Sequence, residues 1–184
     1  MNFQLSEEQS LLIAGFQKFL KRDAGPLAAR FRDRLLPLEE MRSIQRAMTD
    51  FGVGAGVIEE QFGGMGVDAV TTGLLQFELS RCSPDLAVTA LIQHIIGKLI
   101  RYVPEPLRAG YIDDVLTVNR FGCVGMSEPD AGSQVTAVRC RAVEDGNDYV
   151  INGEKLWISN GGYSDFMFLL ARFNDDPVGG LGLI

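Results

Sequence analysis

Apolar side chains recur at helical spacing through the first 118 residues of the chain. Leu12, Phe16 and Leu20 share one helix face, and Ser6-Glu-Glu-Gln9 before them has the form of a capping box. Gly25-Pro26 is predicted to end this first helix. Further helices are predicted over residues 38–51, 69–82 and 86–103, with a loop over 52–66 and a short helix ending near residue 114.

Beyond residue 118 the pattern changes to the two-residue alternation of strands. Strands are predicted over residues 135–143, 149–151, 155–159 and 166–173. Residues 145–148 supply a turn, and Asn152-Gly153 is a strong two-residue hairpin signal. Helices followed by strands indicate an α+β chain with an all-α helical domain over residues 1–118 and a β domain over 119–184.

Composition and charge narrow the class of protein. The 184 residues are 46% hydrophobic and 22% charged, as in ordinary globular proteins, and the net charge of −7 argues against a nucleic-acid binder. Three cysteines without a CxxC pair suggest neither disulfides nor zinc and favour a reducing, cytoplasmic location. The paired carboxylates Asp113-Asp114 and Asp175-Asp176 lack a third ligand, so no metal site is predicted. We also expect no signal peptide and no membrane span.

The densest motif covers residues 124–133. Glu128-Pro129 favours an extended residue followed by a turn, and Ser127 and Ser133 flank the turn with hydroxyls. Successive backbone N–H groups in such a loop form a nest for anions or electron-rich atoms. An ordinary surface turn between strands is the alternative interpretation.

A second motif, Asn152-Gly-Glu-Lys-Leu-Trp-Ile-Ser-Asn-Gly161, contains the only tryptophan. On a predicted strand Trp157 and Ser159 point to the same face, which suggests an aromatic platform and a hydroxyl anchor for a flat heteroaromatic ring. A tryptophan buried in the core is the alternative. His94, in an apolar helix, is interpreted as a partly buried core histidine, and Arg139 and Arg141 as a solvated strand face.

Together these motifs resemble the acyl-CoA dehydrogenase flavoprotein family. Ser127-Glu-Pro-Asp-Ala-Gly-Ser133 is similar to the family pattern T-E-P-x-x-G-S, and the second motif to N-G-x-K-x-W-I-T-N-G. Phe62-Gly-Gly-Met-Gly66 and the opening Leu5-Ser-Glu-Glu-Gln9 also match, so the resemblance covers the whole chain. Serines replace two threonines, Gln134 replaces the usual aspartate, and Glu59 stands where proline is common.

The resemblance implies a helical domain followed by a partial antiparallel β-barrel domain, and FAD as the cofactor. It implies that Ser127 bonds the flavin near N5, that Trp157 packs on the flavin ring, and that Ser159 bonds its edge. It places Ser133 also at the CoA portion of the substrate. The full set of implied cofactor-binding residues is Val124, Met126, Ser127, Gly132, Ser133, Trp157, Ile158 and Ser159.

The implied reaction is dehydrogenation of an acyl-CoA or acyl-carrier-protein thioester to the α,β-unsaturated product. An electron-transfer flavoprotein or another acceptor and a homodimer or homotetramer are implied partners, and fatty acid metabolism is the implied setting. The family's catalytic glutamate lies in a C-terminal helical domain that this sequence does not match, so no catalytic residue is assigned and the chain alone is expected to be inactive. A flavin monooxygenase or oxidase on the same scaffold, or a non-catalytic interaction module, are the alternatives.

Overall fold

The computed structural model of the protein describes residues 4–173 and 180–184, so the predicted Asp175-Asp176 pair lies outside the described residues. The chain divides into two compact units, Met1–Phe121 and Gly122–Ile184. The first unit contains the helices, and the second contains the strands. Among the described helices, none has both the length and the apolar content needed to cross a membrane.

The described residues of the first unit form six α-helices. Their bounds are α1 Glu7–Phe19, α2 Gly25–Arg30, α3 Leu38–Thr49, α4 Ala69–Cys82, α5 Pro84–Ile100 and α6 Ile112–Leu116. The capping box is confirmed, because the Ser6 hydroxyl accepts from the Gln9 backbone N–H while the Gln9 side chain accepts from the Ser6 N–H. Asp68 and Ser83 cap α4 and α5, because their side-chain oxygens accept backbone N–H groups of the first turn.

The predicted helix end at Gly25-Pro26 is wrong. A π-helical turn, Leu20–Ala24, joins α1 to α2, and the Gly25 N–H donates to the Leu20 carbonyl across the wider turn. Pro26 then lies in the first turn of α2. A backbone N–H at this position has no acceptor within the helix, so the lack of an N–H in proline costs no hydrogen bond. The wider turn therefore carries the helical path past a proline that interrupts an ordinary α-helix.

The core of the helical unit is apolar with a few buried amides. Fully buried side chains include Phe16, Met41, Met48, Ile58, Leu75, Leu79, Leu86, Ile96, Ile100 and Val115. Buried Gln45 donates to the Leu86 carbonyl at 2.9 Å, and buried Gln93 donates to the Arg120 carbonyl at 3.0 Å. These bonds spare the core the cost of unpaired amides, which is about 1–3 kcal/mol each.

The second unit is a mixed sheet. Its strands are β1 Gly122–Gly125, β2 Arg141–Asp145, β3 Asp148–Asn152, β4 Phe166–Phe173 and β5 Leu181–Leu183. Two pairings are antiparallel, β2 with β3 and β4 with β5, while β4 pairs in parallel with both β1 and β2. A small core lies on this sheet and consists of Ala131, Val138, Cys140, Ala142, Leu170 and Ala171.

The expectation of an antiparallel barrel is not confirmed, since the described strands form an open sheet with two parallel pairings. Parallel neighbours require long crossover connections. Residues 126–165 separate β1 from β4, and residues 146–165 separate β2 from β4, so both connections are long enough. Hairpin signals are local and therefore identify only the β2–β3 turn, which lies where it was predicted.

One predicted strand is absent from the described residues, and another begins later than predicted. Residues 155–159 contain no strand. Residues 135–137 form a 3₁₀ turn, so the strand predicted over 135–143 begins only at Arg141. Asn152-Gly153 is therefore not a hairpin turn, because β3 pairs with β2 instead. Gly153 serves close packing, since a Cβ on it would lie 2.7 Å from the Cα of Cys140.

Candidate functional site

The first motif folds into a tight turn that follows β1. Glu128 and Ala131 pair across the turn, with the Glu128 N–H donating to the Ala131 carbonyl at 2.9 Å and the reverse bond at 3.2 Å. Ala131 is buried in the core of the sheet. The turn is therefore anchored on the sheet and exposes its tip, Pro129 and Asp130, to solvent.

The carboxylate of Glu128 organises this turn. Its Oε2 accepts from the Arg139 backbone N–H at 2.7 Å, and its Oε1 accepts from the Cys140 N–H at 2.9 Å. Oε1 also accepts from Lys155 Nζ at 2.8 Å, and both side chains are only 6% exposed. One carboxylate thus fixes three positions in the chain that lie 11 to 27 residues away from it.

Lys155 connects the two motifs. Besides Glu128, its ammonium donates to the Met126 carbonyl at 3.0 Å. The next residue, Leu156, donates its backbone N–H to the Ser127 carbonyl at 2.9 Å. Lys155 and Leu156, at the start of the predicted strand, therefore pair with the turn at 126–128 instead of with a neighbouring strand.

The environment of Glu128 favours its ionised form. Burial acts to raise its pKa, but the Lys155 hydrogen bond, the two backbone N–H donors and the Lys155 charge together lower the pKa below the ordinary 4.5. Glu128 is therefore ionised at neutral pH, and its charge is compensated inside the protein by the Lys155 side chain and two backbone N–H groups.

Trp157 projects into solvent directly after this anchor. Its side chain is 90% exposed, and its backbone φ is +58°, a left-handed conformation that non-glycine residues adopt rarely. The argument that Trp157 and Ser159 share a strand face is therefore wrong, because the backbone here is not extended. The exposed indole also rules out the alternative of a core tryptophan in this chain.

The structure places the other predicted site residues around the same two segments. Val124 lies in β1 and is half-buried, as are Ser127 and Ile158, while Met126, Gly132, Ser133 and Ser159 are exposed. Within residues 4–173 and 180–184, the hydroxyls of Ser127, Ser133 and Ser159 make no hydrogen bond. They are free to bond a ligand.

The sequence predicted a turn at Glu128-Pro129 but neither the partners of Glu128 nor the role of Lys155. The only signal was that both residues lie inside the two motifs. Neither the 27-residue separation of the pair nor the backbone donors at Arg139 and Cys140 follow from composition or spacing.

The remaining candidate residues lie at buried or ion-paired positions or on the exposed face of a strand. His94 is half-buried in α5, as predicted. Arg139 is exposed and pairs with Asp130 at 3.0 Å, and Arg141 is exposed on β2. Glu59, which stands where the family commonly has proline, pairs with Arg101.

Two family models match the chain in succession. Residues 6–119 match the model described as acyl-CoA dehydrogenase, N-terminal domain, and residues 123–183 match the model for the middle domain. The chain therefore belongs to the acyl-CoA dehydrogenase family.

Curated relatives agree with this assignment. The mitochondrial isovaleryl-CoA dehydrogenase of Pongo abelii is 31% identical over 170 residues, which cover 91% of this chain and 40% of the relative. The glutaryl-CoA dehydrogenase of Desulfococcus multivorans is 31% identical over 189 residues, covering 100% of this chain and 47% of the relative. The chain thus spans less than half the length of these relatives.

Solved structures share the fold. The acyl-CoA dehydrogenase from Geobacillus kaustophilus has a TM-score of 0.86 at 26% identity. The match covers 100% of this chain and 49% of the Geobacillus chain. A glutaryl-coenzyme A dehydrogenase in complex with glutaryl-CoA has a TM-score of 0.85 at 28% identity. This match covers 100% of this chain and 48% of the dehydrogenase chain.

Proposed function

We propose that this chain supplies the helical domain, residues 1–118, and part of the β domain, residues 119–184, of an FAD-dependent acyl-thioester dehydrogenase. The supporting observation is the linkage of the two motifs through Glu128, Lys155 and the Leu156–Ser127 backbone bond. This linkage holds an exposed indole and free serine hydroxyls on neighbouring segments of one unit. We also propose that the β domain, when complete, closes into a barrel.

The residues present fit a flavin in chemical type. An exposed indole offers a face on which a flat heteroaromatic ring can stack, a contact worth about 0.5–1.5 kcal/mol beyond the area it buries. The hydroxyls of Ser127 and Ser159 have no partner among the described residues and can donate to ring nitrogens or accept from ring N–H groups. At Gly132 an added Cβ would meet no atom within 4 Å, so the backbone there is open to a ligand.

When bound, FAD supplies the oxidant that takes a hydride from Cβ of the acyl group while a base removes the Cα proton. The roles we propose for this chain are binding and orientation. Trp157 with Ile158 flanks the ring system, Ser127 and Ser159 donate to its polar edge, and Val124, Met126 and Gly132 line the turn beside it. Ser133 additionally contacts the CoA portion of the substrate, and the base is not assigned to a residue of this chain.

Acyl-CoA and acyl-carrier-protein thioesters are both candidate substrates. An electron-transfer flavoprotein or another acceptor, a homo-oligomeric assembly such as a homotetramer, and a cytoplasmic location complete the proposal.

The direct test is FAD titration of the purified full 184-residue chain, followed by quenching of flavin fluorescence. We expect saturable binding that Trp157→Ala weakens by about tenfold, because the stacking surface is lost. Tyr102→Ala is the matched control, since Tyr102 is a 79% exposed aromatic of the helical unit. A folded chain that shows no saturable flavin binding, or equal losses in both variants, contradicts the proposed site.

A second measurement addresses the reaction. The natural protein should be yellow, and its absorbance should bleach on anaerobic addition of an acyl-CoA. Consumption of dioxygen in step with product, without bleaching in its absence, supports the monooxygenase or oxidase alternative. The 184-residue chain itself should give little or no turnover with an artificial electron acceptor.

A further inference from the structure

Basic side chains concentrate in one short stretch of the helical unit, residues 18–35, which we call the basic segment. The whole chain has 17 basic and 24 acidic residues and a net charge of −7. The basic segment contains six of the basic residues and two of the acidic ones, so its own net charge is +4 and that of the remaining sequence is −11. The six are Lys18, Lys21, Arg22, Arg30, Arg32 and Arg34.

Two of the six basic side chains are already paired inside the protein. Arg22 pairs with Asp23 at 2.6 Å, and Arg30 pairs with Glu40 at 2.5 Å. The other four make no ion pair with any residue that the structure describes, and all four are exposed. They are Lys18, Lys21, Arg32 and Arg34. Their charges are therefore available to an anionic partner.

An exposed leucine adjoins these cations. Leu35 follows Arg34 in the connection between α2 and α3, and it is 86% exposed. Its neighbour Leu36 is buried, so the connection is anchored at this point. Leu35 is therefore presented to solvent from an anchored position. Removing a leucine side chain from water is favourable.

An aromatic ring orders two of the guanidinium groups that precede Leu35. Cζ of Arg30 and Cζ of Arg34 each lie 4.7 Å from the centroid of the Phe31 ring, in cation–π contact. These contacts position the Arg34 side chain without neutralising its charge. Residues 30–35 thus present cations and a leucine together.

This combination favours a lipid surface over an acidic protein. Anionic head groups attract Lys and Arg side chains within about a Debye length of the bilayer, and the acyl boundary beneath them takes up an apolar side chain. An acidic protein segment meets the cations but gives no reason for an exposed leucine beside them.

We propose that the basic segment binds peripherally to an anionic lipid bilayer. Its four unpaired cations contact the head groups, and Leu35 enters the boundary between head groups and acyl chains. Since the anchor is one leucine and a few cations, the binding is weak and reversible. The proposal concerns the unit Met1–Phe121 alone and does not rest on flavin binding or on dehydrogenase activity.

The test is co-sedimentation of the full 184-residue chain with lipid vesicles. One set of vesicles is phosphatidylcholine, and the other is phosphatidylcholine and phosphatidylglycerol in equal parts. We expect binding to the anionic vesicles to be at least about tenfold tighter, because each cation near an anionic surface contributes to it. This binding should be lost in about 1 M salt, where charges are screened beyond about 3 Å.

Neutral variants separate the two contributions. Arg32→Gln and Arg34→Gln should each weaken binding to the anionic vesicles by about fivefold, as expected for the loss of one cation at an anionic surface. Leu35→Ser should weaken it by about tenfold, because the inserted apolar side chain is lost.

Two matched controls come from the same unit. Lys98→Gln removes the charge of an exposed lysine on α5, outside the basic segment. Leu107→Ser replaces a leucine that is 59% exposed and whose neighbour Arg108 is paired with Glu105 at 2.7 Å. Both controls should leave vesicle binding unchanged.

Equal binding to neutral and anionic vesicles, or no binding to either, would overturn the proposal. Both comparisons use the wild-type chain, so they do not depend on how the variants fold. Losses in the two controls as large as those in the three variants would overturn it as well. Poly-L-glutamate is the probe for an acidic protein partner. If the arginine variants bind both the polymer and the vesicles less tightly while Leu35→Ser binds both as the wild type does, the surface fits an acidic protein, and the bilayer proposal is overturned.

Discussion

Replacing Glu128 with glutamine tests whether the buried ion pair holds the two motif segments together. The substitution keeps the shape of the side chain and removes its charge. In the native protein Oε1 accepts two hydrogen bonds and Oε2 accepts one. An amide presents one oxygen and one NH₂ group, so its nitrogen must face an N–H donor that it cannot satisfy.

The magnitude follows from these contacts. If the amide oxygen takes the place of Oε1, the Arg139 N–H loses its acceptor, at a cost of about 1–3 kcal/mol. Lys155, which is 6% exposed, also loses its counter-charge. Breaking one side of a buried ion pair costs about 3–5 kcal/mol, and we expect the total for Glu128→Gln to fall in this range. Much of the loss should be local to the strand unit.

The assay combines urea unfolding, monitored by circular dichroism, with hydrogen exchange of the Arg139 and Cys140 amides. Asp130→Asn is the matched control, because Asp130 lies in the same turn but its ion pair with Arg139 is exposed, at 68% and 77%. The control should cost under about 1 kcal/mol. The double variant Glu128→Gln/Lys155→Met should lose less than the sum of its two single variants, because their interaction is already broken.

Equal losses of unfolding free energy in Glu128→Gln and Asp130→Asn would refute this reasoning. Unchanged protection of the Arg139 and Cys140 amides in Glu128→Gln would do so as well. Either result would mean that the turn is held by its anchoring on the sheet rather than by the carboxylate.

Three further predictions concern pH and packing. Because folding lowers the pKa of Glu128, its stabilisation is fully present above 4.5 and is lost as pH falls from 4.5 through the lowered pKa of the folded protein. The difference in unfolding free energy between wild type and Glu128→Gln, measured by urea unfolding, should therefore shrink as pH falls below 4.5. The NMR-measured pKa of His94 should lie below 6.5 and rise in Lys98→Met, and an unchanged value would contradict the Lys98 effect. Gly153→Ala should cost about 1–3 kcal/mol through overpacking in urea unfolding, whereas Gly162→Ala, with no atom within 4 Å of its Cβ, should be nearly neutral.

Local sequence signals predicted the helices well. The helix over residues 69–82 has the bounds that its apolar spacing indicated, and the helix beginning near residue 38 buries Met41, Ile44 and Met48 on one face. These elements depend on contacts between residues three or four apart, which periodicity records directly. The turn at residues 145–148 was predictable for the same reason.

Two predictions made from local turn residues were wrong. Gly25-Pro26 was predicted to end the first helix, but a π-helical turn continues the helix past it. Asn152-Gly153 was predicted to form a hairpin turn, but β3 pairs with β2, and Gly153 packs closely on Cys140. At Gly153 a contact made in the folded protein outweighed a local preference of the backbone. At Gly25-Pro26 the wider local hydrogen bond from Gly25 to Leu20 did so.

The sequence by itself determined the helical unit, the two motif segments and their resemblance to a known family, because residue type and spacing carry that information. Only the tertiary structure decided how the motifs meet. Glu128 and Lys155 lie 27 residues apart, and their pairing depends on burial that removes both charges from water. The parallel pairing of β4 with β1 and β2 was decided in the same way, since hydrogen bonds between distant strands leave no local pattern in the chain.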